Sequence, residues 1–96
     1  MNIESITVIE KEKIPTLEFH NKEVLHELHL VIRRKQLLTQ AMLLGNSYHT
    51  KVNIVFEVIG GIYQVETTIW ATTDEYVLLK GAVYLPIKCI HDVIIM

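Results

Sequence analysis

The chain has 96 residues, which is enough for one domain built around one hydrophobic core. Half of the residues are hydrophobic and the net charge is −2, which argues against a cationic protein that binds nucleic acid through bulk charge. No apolar run approaches the roughly 18 residues of a membrane-spanning helix, and the start shows no signal peptide, so we expect a cytoplasmic protein that binds no membrane. The single cysteine, Cys89, excludes an internal disulfide and fits a reducing compartment.

Residues 1–20 are predicted to form a strand followed by an extended segment. Residues 3–9 alternate loosely between apolar and polar side chains, which indicates an additional edge strand. Ile14 precedes a proline and is therefore biased towards extended backbone. We expect Leu17 and Phe19 to dock this segment on the core.

Residues 21–45 are predicted to form one long helix. Asn21 is a suitable N-cap, and Glu23 lies in the first turn, where the helix dipole favours a carboxylate. Residues 22–44 contain neither Gly nor Pro, and Gly45-Asn46 supplies the stop signal.

Two apolar stripes run along this predicted helix, computed at about 100° per residue. The broad stripe is expected to face the strands and consists of Val24, Leu25, Leu28, Val31, Ile32, Leu38 and Met42. Leu30, Leu37 and Leu44 recur every seven residues on a different side. A helix that lies on one barrel needs only one stripe, so these leucines predict a second surface. That surface is the seam of a two-fold homodimer, a contact with the N-terminal segment, or simply exposed.

Residues 51–95 are predicted to form five short strands. Residues 51–58 alternate with a period of two, residues 62–72 follow after the turn at Gly60-Gly61, and residues 76–80 and 82–85 flank Gly81. Pro86 predicts a break before the last strand, Ile90–Ile95. Tight turns and half-buried alternation favour a strongly bent antiparallel barrel that closes its own edges. With the helix packed on it, the predicted fold is an α+β single domain covering residues 1–96.

Trp70 lies in the middle of the second predicted strand. Gln64, Glu66 and Thr68 share its face, and this polar face argues against a position inside the barrel. We therefore expect Trp70 to be largely buried or at an interface, in a position that faces a partner or the helix.

Patterns that would support catalysis or metal binding are weak. Glu23-x-x-His26 matches half of a di-iron helix pair, but it needs carboxylates from other helices, and the remaining histidines are scattered. Cys89 and His91 have no orienting group on their shared strand face, and a buried apolar thiol is the simpler interpretation. The sequence predicts no enzyme, no cofactor and no metal, with a metal- or thiol-dependent enzyme as an alternative.

The order of a helix followed by five short strands resembles the Sm-like fold, and SH3-like small barrels give the same pattern. Residues 74–80, Asp-Glu-Tyr-Val-Leu-Leu-Lys, look like the third-strand segment of bacterial Sm-like RNA chaperones. Arg33-Arg34-Lys35-Gln36 is similar to the basic patch at the end of their helix. Where those proteins carry a Tyr-Lys-His run that contacts RNA, this chain has Pro86-Ile87-Lys88-Cys89. The resemblance implies RNA contacts by Arg33, Arg34 and Lys88.

Together these features predict a non-enzymatic, self-associating small-barrel module that binds another protein. Leu30, Leu37, Leu44 and Trp70 are the expected interface residues of a homo-oligomer, most simply a dimer. The alternative is an Sm-like RNA-binding protein whose affinity is weak and sensitive to salt. With only three cations in contact, the affinity should fall with salt along a shallow slope.

Overall fold

The computed structural model describes residues 6–95. This part of the chain contains one α-helix and seven strands: β1 Ile6–Val8, α1 Leu28–Tyr48, β2 Val52–Val58, β3 Gly61–Thr67, β4 Ile69–Thr72, β5 Tyr76–Leu79, β6 Val83–Pro86 and β7 Ile90–Ile95. Two short 3₁₀ helices span Lys11–Thr16 and Ile87–Cys89. Among residues 6–95, no helix combines the length and the apolar composition that crossing a bilayer requires.

The strands form two separate sheets. The first has the order β1-β3-β2-β7, in which β1 runs parallel to β3 and the other pairs are antiparallel. The second has the order β4-β5-β6 and is antiparallel throughout. The α+β class with one long helix is confirmed. The predicted five-stranded barrel is wrong, because the sheets do not close on each other.

The chain leaves the first sheet at Thr68, inside the stretch that was predicted as one strand. The Thr68 hydroxyl donates to the carbonyl of His49 at 3.4 Å, and the Thr68 carbonyl accepts from the Lys80 N–H at 2.9 Å. Because these bonds connect Thr68 to the helix end and to the end of β5, β4 pairs with β5 rather than continuing the β2–β3 ladder.

The core lies between helix α1 and the inner faces of both sheets. Its fully buried side chains include Ile54, Phe56 and Val65 of the first sheet, Ile69, Val77, Leu79 and Leu85 of the second, and Ile14 of the first 3₁₀ helix. Helix α1 adds Leu38 and Ala41. The alternation of the sequence therefore identifies the buried face of each strand, although the strands belong to two sheets.

Both ends of the predicted helix are wrong. The helix begins at Leu28 rather than Asn21, and the Val24 N–H donates to the Lys88 carbonyl at 2.9 Å instead of to a helical partner. At the other end the helix passes through Gly45 and stops at His49, whose left-handed φ of 57° terminates it. A Cβ on Gly45 would collide with the carbonyl oxygen of Ile69, so this glycine permits close packing of α1 on β4.

The burial of the two predicted helix stripes differs from the prediction. In the broad stripe Leu38 is buried, but Leu28 is 74% exposed and Ile32 is also exposed. Leu30, Leu37 and Leu44 are half-buried, and Leu37 packs against the core. These leucines are therefore partly covered by their own chain, and the leucine seam of a dimer stays a prediction.

Candidate binding surface

The outer face of the three-stranded sheet carries exposed aromatic side chains. Val77 and Leu79 point into the core and are fully buried, so Tyr76 and Leu78 point outward from the same strand. Leu78 pairs with Tyr84, which lies on the same face and is 61% exposed. The rings of Tyr76 and Tyr84 meet edge to face with their centroids 6.2 Å apart.

Trp70 extends this face onto β4. It occupies an irregular position between Ile69, which pairs with Leu79, and Ala71, which pairs with Leu78. Ile69 is fully buried, whereas the Trp70 side chain is 42% exposed, so the prediction that Trp70 is largely buried is wrong within this chain, and an interface position stays a prediction. We call the surface formed by Trp70, Tyr76, Leu78 and Tyr84 the aromatic face.

The size of the aromatic face is similar to that of the largest apolar patch on a typical monomer. With 150–250 Å² for each aromatic side chain, the exposed fractions of its three rings amount to about 300 Å². Apolar patches of about 300–600 Å² are the largest on typical monomers and often serve in binding. Trp and Tyr are also the residues that dominate binding energy at protein interfaces.

Opposite charges lie at the two ends of β5, the central strand of this sheet. Asp74 and Glu75 precede the strand in a turn, where the Thr73 hydroxyl accepts the N–H groups of Glu75 and Tyr76 at 3.3 and 3.0 Å. Lys80 follows the strand directly. Within residues 6–95, Asp74, Glu75 and Lys80 form no ion pair.

A groove adjoins the aromatic face on the helix side. Two cavities of about 380 and 670 Å³ share Val31, Arg34, Asp74 and Ile87 as lining residues. Tyr76 and Pro86 line the larger cavity, so the groove begins where the aromatic face ends.

Arg34 lies at the base of this groove and is only 4% exposed. It donates from Nη1 to Glu23 Oε2 at 2.7 Å, from Nη2 to Glu23 Oε1 at 2.5 Å, and from Nη1 to the Ile90 carbonyl at 3.0 Å. Burial acts to raise the pKa of Glu23, but the hydrogen bonds from Arg34 and from the Leu25 N–H outweigh it, and the pKa is lowered. Glu23 therefore serves the ion pair, and it lies ahead of helix α1 rather than in its first turn, where it was predicted.

The three cations predicted to contact RNA do not form one exposed patch. Arg34 is enclosed by its ion pair, and Arg33 donates to Asp92 of β7 at 2.9 Å. Lys88 is exposed and lines the groove beside Glu75. Sequence spacing alone could not show that Arg34 is buried and Arg33 is exposed, because the packing of the helix decides which of two adjacent residues faces the core.

Three titratable side chains meet on the other sheet. Nε2 of His91 lies 2.8 Å from Glu57 Oε1, and Nε2 of His20 lies 3.2 Å from Glu57 Oε2. The hydrogen bond from His91, followed by that from His20, lowers the pKa of Glu57 against the opposing effect of burial. The imidazoles approach different oxygens rather than one point, and the described residues contain no group of three or more His, Cys, Asp or Glu arranged to hold a metal.

Cys89 is buried beside these charges. Its thiol donates to the Pro86 carbonyl at 2.9 Å, and burial raises the pKa of the thiol to about 12. A thiol that stays protonated is a poor nucleophile, and His91 is bound to Glu57 rather than to Cys89. The geometry gives no support to thiol-dependent catalysis.

A scan of the chain against protein-family models found no match, and searches of curated proteins and of solved structures found none either. The resemblance to the Sm-like family therefore stays an expectation from the sequence.

Sequence reasoning named Trp70 but missed Tyr76 and Tyr84. The signal was present, because Tyr76, Leu78 and Lys80 alternate with the buried Val77 and Leu79. An aromatic at an outward position of a half-buried strand marks an exposed ring. The His20–Glu57–His91 cluster had no comparable signal, since its members lie on three distant segments.

Proposed function

We propose that this protein is a non-enzymatic binding module that engages another protein through the aromatic face. The observation that carries the proposal is the exposure of Trp70, Tyr76 and Tyr84 on one face of a three-stranded sheet. Aromatic side chains bury a large area at a small cost in side-chain entropy, and they anchor most protein interfaces.

Single-stranded RNA is the second candidate, because exposed aromatic rings on a sheet can stack on bases. Such sites combine their rings with a basic groove, and here the carboxylates of Asp74 and Glu75 border the face. Arg33 and Arg34 are both held in ion pairs, and the net charge of the chain is −2. The balance of charge favours a protein partner.

Photo-crosslinking tests the proposal directly. A photoreactive benzophenone amino acid replaces Tyr84, and a matched probe replaces Tyr48, which is exposed at the end of helix α1. We expect ribonuclease-resistant protein adducts of discrete mass from position 84, their loss when Trp70→Ser is added, and no such adducts from position 48. Adducts that are equal at both positions, or that survive Trp70→Ser, would overturn the proposal.

Trp70 also reports on RNA, because it is the only tryptophan of the chain. Titration with mixed-sequence single-stranded RNA should leave its fluorescence unchanged at moderate salt. Saturable quenching that is lost in Tyr84→Ser would instead assign the face to nucleic acid.

A further inference from the structure

We infer that the partner of the aromatic face is a second copy of this chain, packed face to face about a two-fold axis that runs across the strands at the middle of β5. This inference rests on the proposed function and names the partner of the same surface. It depends on the position of β5 in the sheet and on the charges at its two ends.

The position of β5 makes the face self-complementary. β5 is the central strand, with β4 on one side and β6 on the other. A two-fold axis across the strands places β5 of one protomer on β5 of its partner in the opposite direction, and Tyr84 of each protomer beside Tyr84 of the other. The same patch is thereby buried on both copies, as a two-fold interface requires.

The charges select this axis over the alternative. Glu75 and Lys80 are five residues apart along the strand, a separation of about 17 Å. In the antiparallel arrangement Lys80 of one protomer lies at the same end of the interface as Asp74 and Glu75 of its partner, and symmetry repeats this at the other end. An axis parallel to the strands would instead bring the acidic ends together. Exposed ion pairs add little affinity, but like charges that face each other disfavour an orientation.

Neighbouring charges leave this polarity intact. Lys88 lines the larger cavity with Asp74 and Glu75, and Lys35 lines the smaller one with Asp74, but within residues 6–95 neither lysine forms an ion pair with these carboxylates. A Cβ on Gly81, at the other end, would lie 3.1 Å from Cε of Lys11, and Lys11 is paired with Glu12. Asp74, Glu75 and Lys80 therefore have no ion-pair partner among the described residues of their own chain and are available to the opposite charges of a second copy.

The available area predicts a weak dimer. The aromatic rings expose about 300 Å² in each chain, whereas a stable standard interface buries about 800 Å² on each partner. Association should therefore depend on protein concentration, and sedimentation equilibrium over the widest accessible concentration range is the suitable measurement.

Charge reversal tests the arrangement. Lys80→Glu alone places like charges at both contacts, and the double variant Asp74→Lys with Glu75→Lys does the same with the opposite sign. We expect each to weaken self-association about tenfold or more. A one-to-one mixture of the two variants restores attraction at both contacts, so a heterodimer should form. Lys51→Glu, an exposed lysine just before β2, is the matched control and should leave association unchanged.

The inference is overturned if the wild type sediments as a monomer throughout, if the mixture does not associate, or if Tyr84→Ser leaves a dimer intact. Circular dichroism of each variant confirms that the fold is kept. If the wild type is monomeric but forms Trp70-dependent adducts with other proteins, the dimer inference is wrong and the proposed function stands. If the wild type neither associates nor forms Trp70-dependent adducts, both the dimer inference and the proposed function are wrong.

Discussion

Arg34 carries a positive charge into the interior, where its side chain is 5% exposed. A charge in this environment needs a partner, because desolvation costs several kcal/mol that only a counter-charge and hydrogen bonds can offset. Glu23 provides the counter-charge and the Ile90 carbonyl provides a further acceptor. Because Glu23 must reach Arg34, residues 21–27 leave the helical path that the local signals predict.

Removal of either member of this pair should destabilise the protein, but unequally. Glu23→Ala leaves the buried guanidinium without its counter-charge and should lower the free energy of unfolding by about 3 kcal/mol. Arg34→Met keeps an apolar stem of similar length, and Glu23, which is 34% exposed, remains accessible to water. This variant should therefore lower the free energy of unfolding by only about 1 kcal/mol. Urea denaturation of the two variants and of their combination measures the difference, and a larger loss in Arg34→Met would contradict it.

Glu57 makes the free energy of unfolding depend on pH in the acidic range. Its pKa is lowered in the folded state by His91 and His20, so its ionised form stabilises the fold. That contribution is present above the ordinary glutamate pKa of 4.5 and is lost as the pH falls through the lower pKa of the folded state. The difference in unfolding free energy between wild type and Glu57→Gln should therefore shrink as the pH falls below 4.5.

A third histidine, His29, provides a control for that experiment. His29 is exposed on helix α1 and does not contact Glu57, so His29→Gln should follow the wild-type pH profile. A stability difference for Glu57→Gln that grows below pH 4.5 would show that the carboxylate is not stabilised by its neighbours.

At the scale of elements, helix α1 depends on one glycine for its contact with β4. In an isolated helix Gly→Ala stabilises by about 1 kcal/mol, because alanine loses less backbone entropy. At position 45 the new Cβ meets the Ile69 carbonyl, a backbone atom that cannot move without β4. Gly45→Ala should therefore destabilise the fold by about 2–3 kcal/mol.

The next residue provides the matched control. Asn46 lies on the same helix and is exposed, so Asn46→Ala should stabilise by about 0.5 kcal/mol through helix propensity. Thermal unfolding followed by circular dichroism compares the two variants. A gain in stability from Gly45→Ala would mean that the helix and β4 do not pack this closely.

The same elements show how far the sequence could be interpreted. Period-two alternation locates β2 and β7 to within a residue, because half-buried strands follow that period wherever they pair. It does not tell which sheet a strand joins, since the transfer of the chain at Thr68 depends on hydrogen bonds to His49 and Lys80. The helix ends were mispredicted for a related reason, because Glu23 and Gly45 serve long-range contacts that local cap signals do not register.

The candidate surface was only partly predictable for the same physical reason. Trp70, Tyr76 and Tyr84 follow from strand alternation once each buried face is assigned. The burial of Arg34 does not follow, because an arginine in a basic cluster is normally a solvated side chain. Its ion pair with Glu23 is visible only when residues 21–27 fold back towards β7.

At the scale of the whole molecule, apolar surface is distributed unequally. The radius of gyration, 12.2 Å, is that of a compact chain of this length, about 12.5 Å. Helix α1 also exposes Leu28, Ile32 and Leu43, but the first and last of these are about 22 Å apart along the axis, with Gln36 and Thr39 between them. The aromatic face is the more contiguous surface, and association of copies should therefore depend on it.

Association through this face should make thermal stability depend on concentration. A dimer that forms only from folded chains stabilises them by mass action, and for a domain of this size the melting temperature should rise by about 3–5 °C for each tenfold increase in concentration above the dissociation constant. Tyr84→Ser should abolish the dependence, while its free energy of unfolding at high dilution stays within about 0.5 kcal/mol of wild type, because the ring is mostly exposed. Ile32→Ser, an exposed apolar residue of helix α1, should keep the full dependence. A melting temperature that is independent of concentration in the wild type, or a dependence that is lost in Ile32→Ser and kept in Tyr84→Ser, would place the association elsewhere.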